Sequence, residues 1–524
     1  MDWFERVIVG SGPSGIGAAL WMEENGTCIV DAGDSIDHDF PFSSLQEAID
    51  KGAGAELLGP DWEMLQHLAD PSRTHIKLRS AGLSFVMGGD AFRVEDLRGT
   101  LLNRGAGSLA AGGMSNVWGG QLLRYTDADL VEAGGWPFTA AVLNKYYPDL
   151  ERHIGISGQV DDMQEFLGDG IPLLPPTPMV PAAEQLYRRY RSRRQWCRPH
   201  LLLGRPRLAV ATEPYAGRPA YGFGETEFFT TRQPGFYTAR QSLNELRARG
   251  RVAYLPGFRL FEWHETPEHV ELGLQELKTG LIRRVRTRHL LLGCGTTQTA
   301  RLVVQHYRAF QRLLPFMDHP PALLPLFLPL MIGSKLPARS FPIQLIGTLP
   351  GSGRRDMISF YYPGGMLWSS LIVDVPLPMR SAARVMRSLL GGMLVAQIWQ
   401  TSRPAPGNCL EVRESGEMVI SYPHRSPCTV VQPLLRAMFR LGVYSLSRLA
   451  SHSPPGWGFH YAGCLPMKHL PREFETHIDG RLWDSQRVRI IDGCVLPSLP
   501  AKNHALTLMA NAARIADEVK RCGY

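Results

Sequence analysis

Two groups of residues, near opposite ends of a 524-residue chain, have the types and spacing to do chemistry. The first is Gly10-Ser11-Gly12-Pro13-Ser14-Gly15. It lies between the apolar run Val7-Ile8-Val9 and a helical pattern of small residues through Ile16, Ala18, Ala19, Leu20 and Met22, which Asn25-Gly26 ends. Thr27-Cys28-Ile29-Val30 reads as a second strand ending on Asp31, with Ala32 and Gly33 behind it. Strand, glycine turn, helix, strand, acid is the pattern that holds a dinucleotide. Gly10 permits the turn, Gly12 lets a pyrophosphate approach the backbone, and Gly15 lets helix and strand pack closely. The helix N-terminus offers N–H groups and a positive dipole end, and Asp31 is placed to accept hydrogen bonds from a ribose. The pattern alone does not separate NAD(P) from FAD.

The second group is His460, within Phe459-His460-Tyr461-Ala462-Gly463-Cys464, together with Lys502-Asn503-His504. An imidazole, with an unperturbed pKa of about 6.5, is a suitable base at neutral pH. Asn503 and His504 open a last helix whose apolar face is Leu508, Met509, Ala512, Ile515, Ala516 and Val519. Asn503 is there either as a helix cap or because this N-terminus faces a group that becomes negative, as a reduced flavin does. His452, His469 and His477 lack the tight spacing of metal ligands, so no metal is expected.

Other segments must position these groups. From Arg104 to Gly120, glycines surround Gly113, Ser115, Asn116, Val117 and Trp118, which suggests backbone lying against a flat or charged object. Trp136-Pro137-Phe138 leads into a helix with Leu143, Tyr146, Tyr147 and Leu150 at helical spacing. A helix is expected over Thr238–Arg249, with a strand from Val252 to Leu255 after it. A buried strand then runs into Gly293-Cys294-Gly295, with a helix following from Thr297. A strand from Val488 ends on Asp492-Gly493. Residues 34–100 read as loop apart from an amphipathic stretch at Ser43–Ile49.

Prolines 321, 325 and 329 forbid an ordinary central helix in a Leu-rich segment. That segment suits an apolar substrate channel, a membrane surface or burial beneath a second domain. Strands at Gln344–Thr348, Met357–Tyr362, Ser370–Val375, Cys409–Val412 and Glu417–Ser421, with a helix near Ala382–Leu390, make the middle a mixed sheet packed with helices. Between Tyr187 and Arg198 stand six arginines. They suit an anionic substrate, an acidic carrier protein or a peripheral membrane contact, and a solvated helix face is the plainer reading.

Composition bounds the rest. The chain is 44% apolar and 20% charged, enough for a large core and more than one domain. A net charge of +7 is mild for this length and does not call for nucleic acid. The eight cysteines form no C-x-x-C pair. The first strand starts within a few residues of Met1, leaving no room for a signal peptide, and no apolar run reaches the roughly 18 residues of a spanning helix. A cytoplasmic protein is expected.

Taken together, these motifs resemble the glucose–methanol–choline (GMC) family of FAD-dependent oxidoreductases. The resemblance rests on Gly10–Gly15 with Asp31, Gly112–Gly119, Trp136-Pro137 and Gly293–Gly295. It rests most on His460-x-x-Gly463-Cys464, Asp492-Gly493 and Asn503-x-x-x-Thr507. It implies an α/β fold: a discontinuous Rossmann-like FAD-binding domain and an α+β substrate domain with a mixed or antiparallel sheet. The expected division is FAD-binding over 1–158, a substrate segment or crossing at 159–232, FAD-binding over 233–312, substrate-binding over 313–445, and FAD-binding again over 446–524.

The resemblance also implies that His460 takes the proton of a substrate alcohol while a hydride leaves for flavin N5. Asn503 falls at the position of the family's second polar residue, and His504, where many members have Pro, is the other candidate. It implies cofactor contacts at Gly10, Ser11, Gly12, Pro13, Ser14, Gly15, Asp31, Ala32, Gly33, Gly113, Ser115, Asn116, Val117, Val252, Cys294, Gly295, Asp492, Gly493, Asn503 and Thr507. No His or Cys lies between residues 104 and 152, so FAD is expected to be non-covalent. The Pro/Leu-rich middle favours an apolar or mid-sized small-molecule substrate. Oxidase and dehydrogenase are both open, as are a lyase with structural FAD and a non-catalytic flavoprotein.

Overall fold

The computed structural model describes residues 2–24, 26–33, 90–223, 234–335, 340–350, 355–363, 375–425 and 428–522. The amphipathic stretch expected at 43–49, and all but Val375 of the strand expected at 370–375, lie outside them.

Three main sheets carry the fold. The first is centred on Asp2–Val9, which pairs in parallel with Thr27–Asp31 on one side and Ile282–Leu292 on the other. Val252–Pro256 extends it in parallel beyond Thr27–Asp31, and Val488–Ile490 pairs in parallel with the end of Ile282–Leu292. Val270–Glu276 and Phe258–Glu265 complete the far side as antiparallel strands. Val7, Ile8, Val9 and all of Cys28–Val30 are buried. A parallel sheet with both faces buried requires cover on each. On one face the first helix, Pro13–Trp21, packs on the last, Ala505–Cys522. Gly17 sets their spacing, because a Cβ there would fall 2.5 Å from the Met509 carbonyl oxygen.

The second sheet runs Leu314–Pro315, Cys409–Val412, Met418–Ser421, Asp90–Glu95, Leu101–Gly107. Of these, Asp90–Glu95 falls in the stretch read as loop, and Leu101–Gly107 runs into the Gly-rich segment from Arg104. The signal was a short alternation in which Phe92 and Val94 point into the core. The Asp96 carboxylate closes the turn by accepting from the N–H groups of Arg98 and Thr100.

The third sheet is antiparallel throughout: Ser451–His452, Ala322–Phe327, Met393–Trp399, Met357–Tyr361, Ile343–Thr348, Leu202–Gly204. The proline-rich segment is one of its strands. Pro325 is tolerated because it sits in a gap between the Leu323–Ser451 pair and the Phe327–Tyr444 hydrogen bonds, where no N–H is needed. Ala322, Leu324 and Leu326 bury one face with the helices Pro181–Ser192 and Val431–Arg440.

The helix expected after Phe138 is split into Ala141–Asn144 and Tyr147–Ile154. Pro148 can stand in a first turn but not in a continuous interior. Of the six arginines at 188–198, Arg189 and Arg193 hydrogen-bond the carbonyls of Leu441 and Arg440, and Arg194 pairs with Asp162. No helix among the described residues is long and apolar enough to cross a membrane.

Candidate functional site

A cavity of about 680 Å³ runs between the first and third sheets, a size suited to a cofactor and substrate. At one end are Gly10, Ser11, Gly12, Pro13, Ser14, Asp31 and Ala32. Gly10 has φ +100°, and a Cβ on it would meet the Gly293 carbonyl oxygen at 2.5 Å, so no other residue fits. No side chain caps the helix that begins at Pro13. Its N-terminus is therefore suited to a phosphate.

The Gly-rich segment is pinned against this turn. Gly112 N donates to Ser11 Oγ at 2.9 Å, and Ala239 N donates to Ser115 Oγ at 2.9 Å. The Asp31 carboxylate accepts from the N–H groups of Ser11 (3.0 Å) and Gly33 (2.7 Å), and burial pushes its pKa up to about 6. Opposite, Cys294, Gly295, Asp492 and Gly493 line the wall. Asp492 joins two elements by accepting from Gly295 N, Cys494 N and the Thr299 hydroxyl.

Five expected cofactor contacts lie behind the wall instead of in it. Gly15 and Gly33 are packed against backbone at Gly10 and Ala111. Asn116 Nδ2 donates to the carbonyls of Ala111 and Gly113, shaping the loop from within. Val252 is buried in the sheet core, and the Thr507 hydroxyl is bonded to that of Tyr147 at 2.8 Å. Gly113, Ser115 and Val117 do reach the cavity.

At the other end the structure brings together His460, Asn503 and His504, and adds His319 and Trp399, which the sequence reading missed. The His460 ring stacks on Trp399 (4.7 Å between centroids, 22°) and meets His504 edge-on at 4.7 Å. His319 Nδ1 lies 3.3 Å from His460 Nδ1, and Asn503 Nδ2 lies 3.3 Å from His460 Nε2.

These contacts assign the protons. The Gln400 carbonyl can only accept, so His319 Nε2 carries the hydrogen that it receives. Burial pushes the His319 pKa down to about 4, keeping it neutral, so its Nδ1 is an acceptor. His460 Nδ1–H must then donate to it. Neutral His460 thus holds its lone pair on Nε2, where the Asn503 amide donates.

The loop that carries His460 is held from below. The buried Asp318 carboxylate accepts from the N–H groups of Gly456 (2.6 Å), Gly458 (3.4 Å) and His319 (2.7 Å). Phe459 is left at φ +54°, a left-handed conformation costing about 1–2 kcal/mol beside the candidate base.

Asn503 does not act as the helix cap. Among the described residues its Oδ1 has no hydrogen-bond partner, and neither has His504 Nδ1, although both residues line the cavity. Such buried, unmet polar atoms suit a bound ligand. Lys502 fixes this corner: its fully buried ammonium donates to the Arg124 carbonyl (3.1 Å), the Phe166 carbonyl and the Asp129 carboxylate. Burial lowers the His504 pKa to about 3, so it too stays neutral. Among the described residues no group of His, Cys, Asp or Glu is arranged to hold a metal.

A Rossmann-like parallel sheet beside an antiparallel one, with the cavity between, is the fold this chain shares with solved oxidases. Pyridoxine 4-oxidase from Mesorbium loti superposes with a TM-score of 0.60 at 14% identity, covering 99% of both chains. A formate oxidase from Aspergillus oryzae RIB40, in a structure concerned with a mutation's effect on FAD modification, gives a TM-score of 0.58 at 14% identity. That match covers 100% of this chain and 99% of the other. At this identity the likeness is one of fold. No protein-family model and no curated protein sequence matches the chain.

Proposed function

We propose that the chain is an FAD-dependent oxidoreductase of the GMC type that oxidises a CH–OH or related group of an apolar or mid-sized small molecule. The observation that carries this reading is the chain of hydrogen bonds from Gln400 through His319 to His460, which leaves Nε2 as a base beside Asn503. The fold shared with two oxidases, one of them associated with FAD, supports the cofactor. The residues also fit it: a glycine turn and an uncapped helix for phosphates, Asp31 for a ribose, and unmet polar atoms at the far end.

Bound FAD would supply the two-electron acceptor that the side chains lack. His460 Nε2 takes the substrate hydroxyl proton. Asn503 orients the oxygen, and its direct contact with His460 favours it over His504 as the partner. The resulting imidazolium keeps its Nδ1–H bond to His319 and lies against the Trp399 ring, a favourable place for a cation. Leu323, Val395 and Tyr361 give the substrate end an apolar wall. The domain division expected from the sequence and non-covalent attachment of FAD belong to the same reading.

The test is a screen of alcohols against the purified protein, read by anaerobic bleaching of the flavin. Wild-type protein is expected to be yellow, to bleach with a substrate, and to release its flavin on acid precipitation. His460→Ala should keep the flavin and lose about 10²- to 10⁴-fold in bleaching rate. Turnover without bleaching would indicate a lyase. A colourless protein that binds no FAD overturns the reading.

A further inference from the structure

Around one end of the Ala322–Phe327 strand, four elements expose apolar side chains and arginines together. They are the 3-10 turns Pro329–Met331 and Ser447–Leu449 and the helices Met379–Leu389 and Val431–Arg440. They are in mutual contact. Phe327 exchanges backbone hydrogen bonds with Tyr444, Gly333 N donates to the Ser388 carbonyl, and Phe439 packs edge-on against Tyr444 at 5.5 Å. Leu330 is 81% exposed and Phe439 64%, with Tyr444, Leu446 and Leu449 also open. Scattered singly these would need no explanation, but here they lie on elements gathered around the Phe327–Tyr444 backbone pair.

Along the chain segments that carry them, the charge has one sign. The sequence has no Asp or Glu from His319 to Arg355, from Val375 to Leu410, or from Met418 to Arg472. Arg380, Arg384 and Arg387 are spaced to share one helix face, and Arg436 and Arg440 another. All five are exposed, as is Arg448. None of the six forms an ion pair among the described residues, whereas arginines over the first sheet, such as Arg283 and Arg286, are paired.

We infer that this face docks on an anionic membrane surface, with the exposed apolar side chains entering the headgroup layer and the arginines facing lipid phosphates. Exposed arginines without an acidic partner among the described residues (Arg440 lies over the Trp196 ring at 4.5 Å), set around apolar side chains, complement a surface that is anionic outside and apolar beneath. A second copy of the chain is a poor occupant, because it would press the same cations against each other. The contact is peripheral. Ser451 and His452, which are exposed and line the cavity, follow Leu449 closely, so docking would turn the cavity mouth toward the bilayer.

This inference does not depend on the flavin chemistry, and its test does not read activity. Full-length protein is sedimented with vesicles of phosphatidylcholine alone or mixed with phosphatidylserine. Binding is expected only to the mixed vesicles and should fall as salt is raised. The variant R384E/R387E/R440E, with melting temperature and absorbance as folding controls, should lose at least about 30-fold in partitioning. Leu330→Ser with Phe439→Ser should weaken binding while keeping its salt dependence. The inference is overturned if the wild-type protein stays in solution with mixed vesicles, or if the triple variant binds equally well. It is overturned too if the patch instead drives self-association that those substitutions abolish.

Discussion

The glycine cradle and the imidazole cluster line one cavity but are built in opposite ways. The elements of the cradle follow one another along residues 2–33: a strand, a turn, a helix and a strand, with Gly293 and Gly112 packed against the turn from outside. Its tolerances are set by backbone, and a Cβ at Gly10 or Gly33 collides within 2.5 Å. The cluster at His460 is non-local. His319, Trp399, His460 and Asn503 come from four segments, and its hydrogen bonds span 43 to 141 residues. The first region is fixed by shape, the second by where protons sit. Changes in the cradle should therefore act all-or-none on binding, and changes in the cluster should act by degrees on rate.

The largest effect is expected from Gly12→Val. Gly12 has φ −66° and ψ −178°, and among the described residues a Cβ there meets only Gly113 Cα at 3.9 Å. The fold should tolerate it while the added side chain occupies the cradle. The purified variant should show wild-type circular dichroism and no flavin absorbance. A yellow variant would mean that the cradle does not hold the cofactor.

Next comes His319, read as a positioning residue. His319→Phe removes the acceptor for His460 Nδ1–H and should lower kcat about 10- to 100-fold with little change in KM. His319→Gln can still accept from His460 and donate to Gln400, and should recover most of that loss. Equal losses in both variants would mean that His319 only fills space.

The smallest effect is on acid stability. Burial lowers the His319 pKa to about 4 and the His504 pKa to about 3, below the ordinary 6.5. The folded protein keeps both neutral, while the unfolded chain takes up protons below about pH 6.5. Their contribution is thus present above that pH and is lost as pH falls from about 6.5 toward 4, by at most about 1.4 kcal/mol per pH unit for each histidine. Asp31 and Asp318, pushed up to about 6, act in the opposite sense, so the useful readout is a difference. Denaturant melts between about pH 7 and 4.5 should show a shallower acid loss for His319→Gln than for wild type. Parallel curves would contradict a neutral, buried His319.

The cradle was legible because its geometry is dictated by neighbours in sequence. Gly10 needs its positive φ whatever the rest of the chain does, and Thr27–Asp31 follows at the length of one helix. His460 and Asn503 were visible as residue types, but their relation was not. Asn503 read as readily as a helix cap, and only the folded protein shows its amide turned to His460. His319, in Asp318-His319-Pro320, carries no local mark. Its role arises where the third sheet brings Gln400 and the 456–460 loop together. Val252, Thr507, Gly15, Gly33 and Asn116 show the converse: residues beside a wall in sequence terms were packed behind it.

What the sequence determined by itself was therefore the α/β class, the Rossmann-like opening and the candidate base, each a matter of periodicity, glycine placement or residue type. What only the tertiary structure decided was the proton arrangement around that base and the sharing of exposed arginines by one face. Both depend on contacts between residues far apart along the chain, and side-chain protonation follows from burial and hydrogen-bond partners that exist only once the sheets have packed.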